Sequence, residues 1–171
     1  MITPEYCLLM ARYNRWQNAE LLKSLESMTD ADLREDRGAF FGSILRTVNH
    51  LLWGDTLWIS RFDGGEGPAQ TDLTKTDTTD GAQTLAEWSK ERFRTDARFV
   101  TWAKGVTHLD LTGDLTWFSG SIQSDISKPR TVCVAQMFNH QTHHRGQVHA
   151  MLGAAGAPMY TTDIPFMPTT L

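Results

Sequence analysis

Asn139-His140-Gln141-Thr142-His143-His144-Arg145-Gly146-Gln147 is the stretch on which the reading of this chain turns. It lies inside a run from about Thr131 to Gly153 whose apolar residues recur at helical spacing. On a wheel of roughly 100° per residue with Val132 at zero, Cys133, Met137, Val148, Val134, Leu152 and Met151 fill an arc from roughly 100° to 200°. His144 falls inside that arc at about 120°, and His140 on its flank at about 80°. His143, near 20°, and His149, near 260°, fall outside it and are expected to face solvent or a partner subunit. A helix that turns two histidines toward its own apolar face needs other helices to bury that face.

Those helices are legible upstream. Thr3-Pro4-Glu5 offers a cap, a proline at the first helical position and an early acid. Leu8, Leu9, Tyr13, Trp16, Leu21, Leu22 and Leu25 then predict a helix from residue 4 to about Met28. Thr29 to Gly42 reads as a connection with a short helical turn at its start. Ser43 caps a second helix, Ile44 to Phe62, whose stripe of Ile44, Val48, Leu51, Leu52, Ile59 and Phe62 also contains Asp55. A carboxylate in that company needs a partner, such as an arginine, or a site to serve. Gly64 to Asp80 reads as a loop. Thr84-Leu85-Ala86-Glu87 has the capping-box form and opens a third helix to about Lys104, with Leu85, Trp88, Phe99 and Trp102 as core contacts and Gly105 as its stop. Between Leu109 and Thr131, Leu111, Gly113, Leu115 and Trp117 alternate with polar residues, which predicts a short β-hairpin or extended excursion. The tail after Gly153 is irregular and is expected to pack across the surface. The sum is an all-α four-helix bundle with an excursion between the third and fourth helices.

The 171 residues suit a single domain, 1–171, and the 40% apolar content suffices for its own core. Net charge is −4, with no lysine- or arginine-rich run, so neither nucleic acid nor a membrane surface is an expected partner. No signal peptide or membrane span is visible, and a cytoplasmic location is the expectation. Two cysteines, Cys7 and Cys133, lie too far apart in sequence for a disulfide framework and read as reduced and buried.

Imidazole is the commonest side-chain metal ligand, and histidines at i and i+4 project from one helix face. His140 and His144 can therefore share an ion, or can be half-buried histidines that hydrogen-bond elsewhere. An ion satisfies one ring nitrogen of each, where two buried neutral imidazoles otherwise need partners for all four. A stable site needs a third ligand. His50 and His108 are the remaining histidines, and Asp55 is a carboxylate option. His50 lies off the centre of its helix's stripe, so the residues alone leave it undecided.

Four motifs in order resemble the DinB/YfiT-like family of small metal-binding helix bundles. They are Tyr13-Asn14-Arg15-Trp16-Gln17-Asn18, Asn49-His50 with Asp55 and Trp58, His140-x-x-x-His144-Arg145-Gly146-Gln147, and Thr162-Asp163-Ile164-Pro165-Phe166. The resemblance covers nearly the whole chain. It implies a four-helix bundle with a metal site of His50, His140 and His144, the first supplied by the resemblance. It also implies pairing as a homodimer. The doubled histidine at His143 and the elaborated Leu109–Pro129 segment depart from the pattern without touching these positions. Around the last ligand, Gln147 is placed to hydrogen-bond a ligand, Arg145 reads as structural, and Gly146 reads as a close-approach or surface glycine. Asn49 and Asn139 read as helix-surface residues.

Three neutral histidines leave coordination positions open, as catalytic sites do. Such an ion lowers the pKa of a bound water or thiol. The resemblance implies one divalent transition-metal ion, zinc or nickel with iron as the alternative. It further implies a thiol S-transferase acting on a small-molecule substrate with a low-molecular-weight thiol. A metal-dependent hydrolase and a non-enzymatic metal-binding stress-response module are the rival readings. Asp55 and Gln147 are candidates to position a nucleophile, and no general base is evident.

Overall fold

In the computed structural model, which describes residues 2–69, 77–120 and 122–169, helix α1 (Pro4–Glu26) starts at a Thr3 cap. The Thr3 Oγ1 accepts from the Tyr6 N–H at 3.2 Å, and Pro4 occupies a turn where an N–H has no helical partner to lose. A one-turn α2 (Asp30–Arg34) follows, boxed by Thr29 and Asp32. Helix α3 (Ile44–Asp63) begins where Ser43 accepts from the Arg46 N–H. It stops at Gly64, whose φ of 72° lets its N–H turn back to the Ser60 carbonyl. Helix α4 (Leu85–Gly105) carries both bonds of the Thr84/Glu87 capping box. Strands β1 (Asp114–Ser119) and β2 (Ser124–Pro129) form the expected hairpin, antiparallel in the register Asp114↔Pro129 to Ser119↔Ser124. Helix α5 (Arg130–Ala154) leaves β2 directly, without a side-chain cap. The Gly64–Asp80 loop is described only at 64–69 and 77–80; the remainder of that expectation lies outside the described residues.

The four long helices close a ring in which α1 packs on α4, α4 on α3, α3 on α5 and α5 on α1. Two apolar layers give their directions. One layer takes Cys7, Met10 and Trp16 from α1, Ile59 from α3, Phe99 and Ala103 from α4, and Val134 and Phe138 from α5. The other takes Leu21 and Leu25, Ile44 and Val48, Trp88, and Val148 and Leu152 from the same helices. So α1 and α5 run from the first layer to the second, and α3 and α4 run back.

Between the layers each helix contributes buried polar residues: Asn14, Gln17 and Asn18; Asn49 and Asp55; Arg92, Thr95 and Asp96; Gln141, His144 and Arg145. Most buried polar groups are paired, and here Arg92 is the hub. Its guanidinium reaches Asp55 Oδ2 at 2.6 Å and Asp96 Oδ1 at 2.9 Å, with Arg92 only 3% and Asp55 1% exposed. Asn14 and Asn18 both donate to Asp96 Oδ1, and Arg145 donates to Asn14. Asp55 thus finds the arginine that its apolar neighbours demanded.

The excursion and the tail lie over the bundle. Arg61 lies over the rings of both Trp58 and Trp117, at 4.8 and 4.9 Å from their centroids, and the two rings meet edge-on at 5.7 Å, which ties the hairpin to α3. The tail crosses α1: Ser24, Gln17 and Tyr13 donate to the carbonyls of Pro158, Thr161 and Thr162. Among the described residues, no helix is long and apolar enough to cross a membrane.

Candidate metal centre

The antiparallel packing of α3 on α5 brings His50 beside His140 and His144 within the polar belt. One ring nitrogen of each can be chosen so that all three lie within 4.8 Å of one another. His50 Nε2 and His140 Nε2 are 3.2 Å apart, and the His144 ring centroid lies 4.6 Å from that of His50 and 4.4 Å from that of His140. The Nδ1 atoms turn away from this centre. His50 Nδ1 bonds Thr78 Oγ1 at 2.7 Å, and His144 Nδ1 bonds Gln147 Oε1 at 2.7 Å. An oxygen acceptor on His144 Nδ1 puts the proton there and leaves its Nε2 as a free lone pair. His140 Nδ1 is buried and unpaired.

The electrostatics suit a cation. Burial, then the neighbouring imidazoles, pushes both His50 and His140 down to about 4. Burial also lowers His144, against a raising contribution from its bond to Gln147. Near neutral pH all three rings are uncharged, which is the form that ligates metals. Three convergent neutral imidazoles are a donor set that fits a divalent transition-metal ion.

One wall of the centre is aromatic. The Phe41 ring stands 4.2 Å from that of His50 and 5.6 Å from that of His144, and the Trp53 ring stacks near that of His50 at 6.4 Å. Phe40, at 85% exposure, packs edge-on against Phe41. The sequence reading missed Phe41 and Thr78 because both sit in connections; two adjacent phenylalanines between Gly38 and Gly42 were the available signal. It placed Gln147 correctly beside a histidine.

Other expectations change. His143 is exposed as the wheel requires, but His149 packs on the tail, with its ring 5.0 Å from Tyr160 and Nε2 3.2 Å from the Tyr160 carbonyl. Asn49 is buried, not on the surface, because its amide donates to the carbonyls of Thr79 and Ala82 where the loop returns. Asn139 is exposed, and Gly146 is a surface glycine with nothing within 4 Å of a built Cβ. His108 stands exposed at the head of the Leu109–Leu111 turn, and Asp55 is committed to Arg92. Cys7 and Cys133 are both free and buried; burial pushes the Cys7 thiol up to about 11 and also raises Cys133.

The comparisons with known proteins agree with this architecture. The chain is 23% identical over 163 residues to "Protein DinB" of Bacillus subtilis (strain 168), covering 93% of this chain and 91% of that protein. The DinB family model matches residues 1–170. With the match running across all four long helices and both halves of the histidine cluster, the chain belongs to the DinB family.

Proposed function

We propose that this chain is a metal-dependent enzyme of the thiol S-transferase type, with His50, His140 and His144 as the ligands of one divalent transition-metal ion. The observation that carries the reading is the convergence of three neutral imidazoles from two helices, two of them already held by bonds on their far nitrogens. When bound, such an ion acts as a Lewis acid that favours the ionised form of a thiol or water. The chain's own residues hold the site in register. Thr78 and Gln147 orient two rings, and Phe41 covers one flank against water. The chain's own thiols are buried, with ionisation disfavoured, so the nucleophile comes from a small thiol in solution. The aromatic surface of Phe40 and Phe41 offers an apolar resting place for the electrophile.

The test is conjugation of monochlorobimane to a panel of low-molecular-weight thiols by protein loaded with zinc or nickel. Metal-dependent turnover with at least one thiol, lost in His144→Ala, is the expected result. Full metal occupancy with no turnover would make the chain a metal-binding module instead. Ester cleavage without any thiol would make it a hydrolase. Metal analysis that finds no ion retained by the wild type would remove the ligand assignment itself.

A further inference from the structure

A cavity of about 190 Å³ lies between α1, α5 and the tail. Its wall takes Tyr13 and Gln17 from α1, Arg145, Gly146 and His149 from α5, and Tyr160 from the tail. None of His50, His140 and His144 lines it. Several polar groups of this wall are spent on holding the tail. Tyr13 and Gln17 donate to the carbonyls of Thr162 and Thr161, and His149 Nε2 lies 3.2 Å from that of Tyr160. Arg145 differs. It is 5% exposed and makes one hydrogen bond, from Nη1 to Asn14 Oδ1. Its Nε and Nη2 have no partner among the described residues, and both keep some solvent contact. No Asp or Glu lines the cavity.

A guanidinium this deeply buried is costly unless it is paired. Counted together, Arg92 and Arg145 balance Asp55 and Asp96, but Arg92 holds both carboxylates directly. Arg145 reaches Asp96 only through Asn14, whose Nδ2 stands 3.4 Å from Asp96 Oδ1. The Arg145 guanidinium also faces the Tyr13 ring, with Cζ 5.4 Å from the centroid. What remains is the edge on which Nε–H and Nη2–H point the same way. Two parallel donors of that kind match the two oxygens of one carboxylate.

We propose that this cavity is a binding site for a small carboxylate, whose oxygens accept from Arg145 Nε and Nη2. The charge of the wall selects a monoanion. Arg145 is its one Lys or Arg, and the α5 residues there lie in mid-helix, so no free backbone N–H adds to it. A phosphate dianion would be left half neutralised. The volume limits the ligand to a short acid, with the side chains of Tyr13 and Tyr160 for its apolar part to rest against. The site requires no metal and stands or falls apart from the histidine centre.

Nitrogen-15 NMR of the full chain near neutral pH tests this, with sodium acetate replacing sodium chloride at constant ionic strength. The Arg145 Nε–H signal, assigned by its loss in Arg145→Lys, is expected to shift saturably with acetate and to stay in place with acetamide. Arg145→Lys keeps the charge and loses the fork. Acetate affinity, read there from the Gly146 amide, is expected to fall about tenfold or more. Gly146→Leu leaves Arg145 intact. A Cβ at Gly146 meets nothing within 4 Å, so this variant should fold and set its side chain in the cavity mouth. The acetate shift of Arg145 is expected to be lost in it. It also decides the question should Arg145→Lys fail to fold. Absence of a saturable acetate shift in the wild type, tighter binding of inorganic phosphate than of acetate, or a full acetate response in folded Gly146→Leu would each overturn the proposal.

Discussion

Gly54 and His140 lie so close that no side chain fits between them: a Cβ on Gly54 would stand 2.7 Å from His140 Cε1. Real Cβ atoms do not approach that closely, so Gly54→Ala must push the imidazole away from His50. Alanine gains up to about 1 kcal/mol of helix propensity, and overpacking costs typically about 1–3 kcal/mol. The fold is therefore expected to survive with a small net loss. Zinc affinity by calorimetric titration is expected to fall by roughly tenfold or more, as when a ligand loses its supporting contact. Unchanged affinity in a folded Gly54→Ala would show that His140 does not need its present position.

Gln147 gives a gentler test of the same principle. Its Oε1 is the acceptor for His144 Nδ1 at 2.7 Å, and the side chain is only half-buried. Gln147→Ala is expected to leave the melting temperature nearly unaltered and to cost about tenfold or more in metal affinity. Gln147→Glu keeps an oxygen at the same reach and is expected to restore binding. Competition against a chromophoric chelator would register both effects, and equal affinities for wild type and Gln147→Ala would dismiss the contact as incidental.

Arg92 sits between two carboxylates at 3% exposure. Removing one member of a buried ion pair strands the others, at a cost of about 3–5 kcal/mol. Arg92→Ala is therefore expected to be among the most destabilising single changes in α4. Arg98, which pairs with Asp63 at a quarter-exposed position, is the comparison. Screened pairs of that kind are worth about 0–1 kcal/mol. Urea unfolding of the two variants should separate them clearly, and similar losses would contradict the network described here.

The metal-free protein should respond to acid through His50 and His140. Both are lowered to about 4 from an ordinary 6.5, so the unfolded chain binds protons that the folded chain refuses. Their contribution to stability is present above pH 6.5 and is lost as the pH falls through about 4. In His50→Gln one of these two titrations is gone. The stability difference between wild type and this variant is expected to drift against the wild type as the pH falls across that window. Equilibrium unfolding at several pH values measures it, and a pH-independent difference would mean that His50 titrates normally in the fold.

Much of the fold was readable because its signals are local. Thr3-Pro4, Ser43 and the Thr84/Glu87 pair act within one turn of themselves, so their chemistry needs no knowledge of the rest. The alternation around Trp117 did the same for the hairpin. His140 and His144 were separable from His143 because all three share one helix and one wheel. His50 was not, since α3 buries residues on several faces, among them Thr47, Asn49 and Gly54, and only the approach of α5 says which flank matters. Asn49 escaped for a related reason: its acceptors at Thr79 and Ala82 come from a loop about 30 residues on. Asp55 announced its need for a partner, but nothing in the chain's pattern named Arg92 as that partner.

The polar belt that carries these groups divides the interior into two small cores. Leu21 and Leu152 pack in one core and Phe99 and Phe138 in the other. Away from the cavity that Trp16 shares with Leu22 and Trp88, changes in the two cores should simply add in free energy. Each core can be remodelled separately, by selection or by an engineer, while the belt between them stays intact.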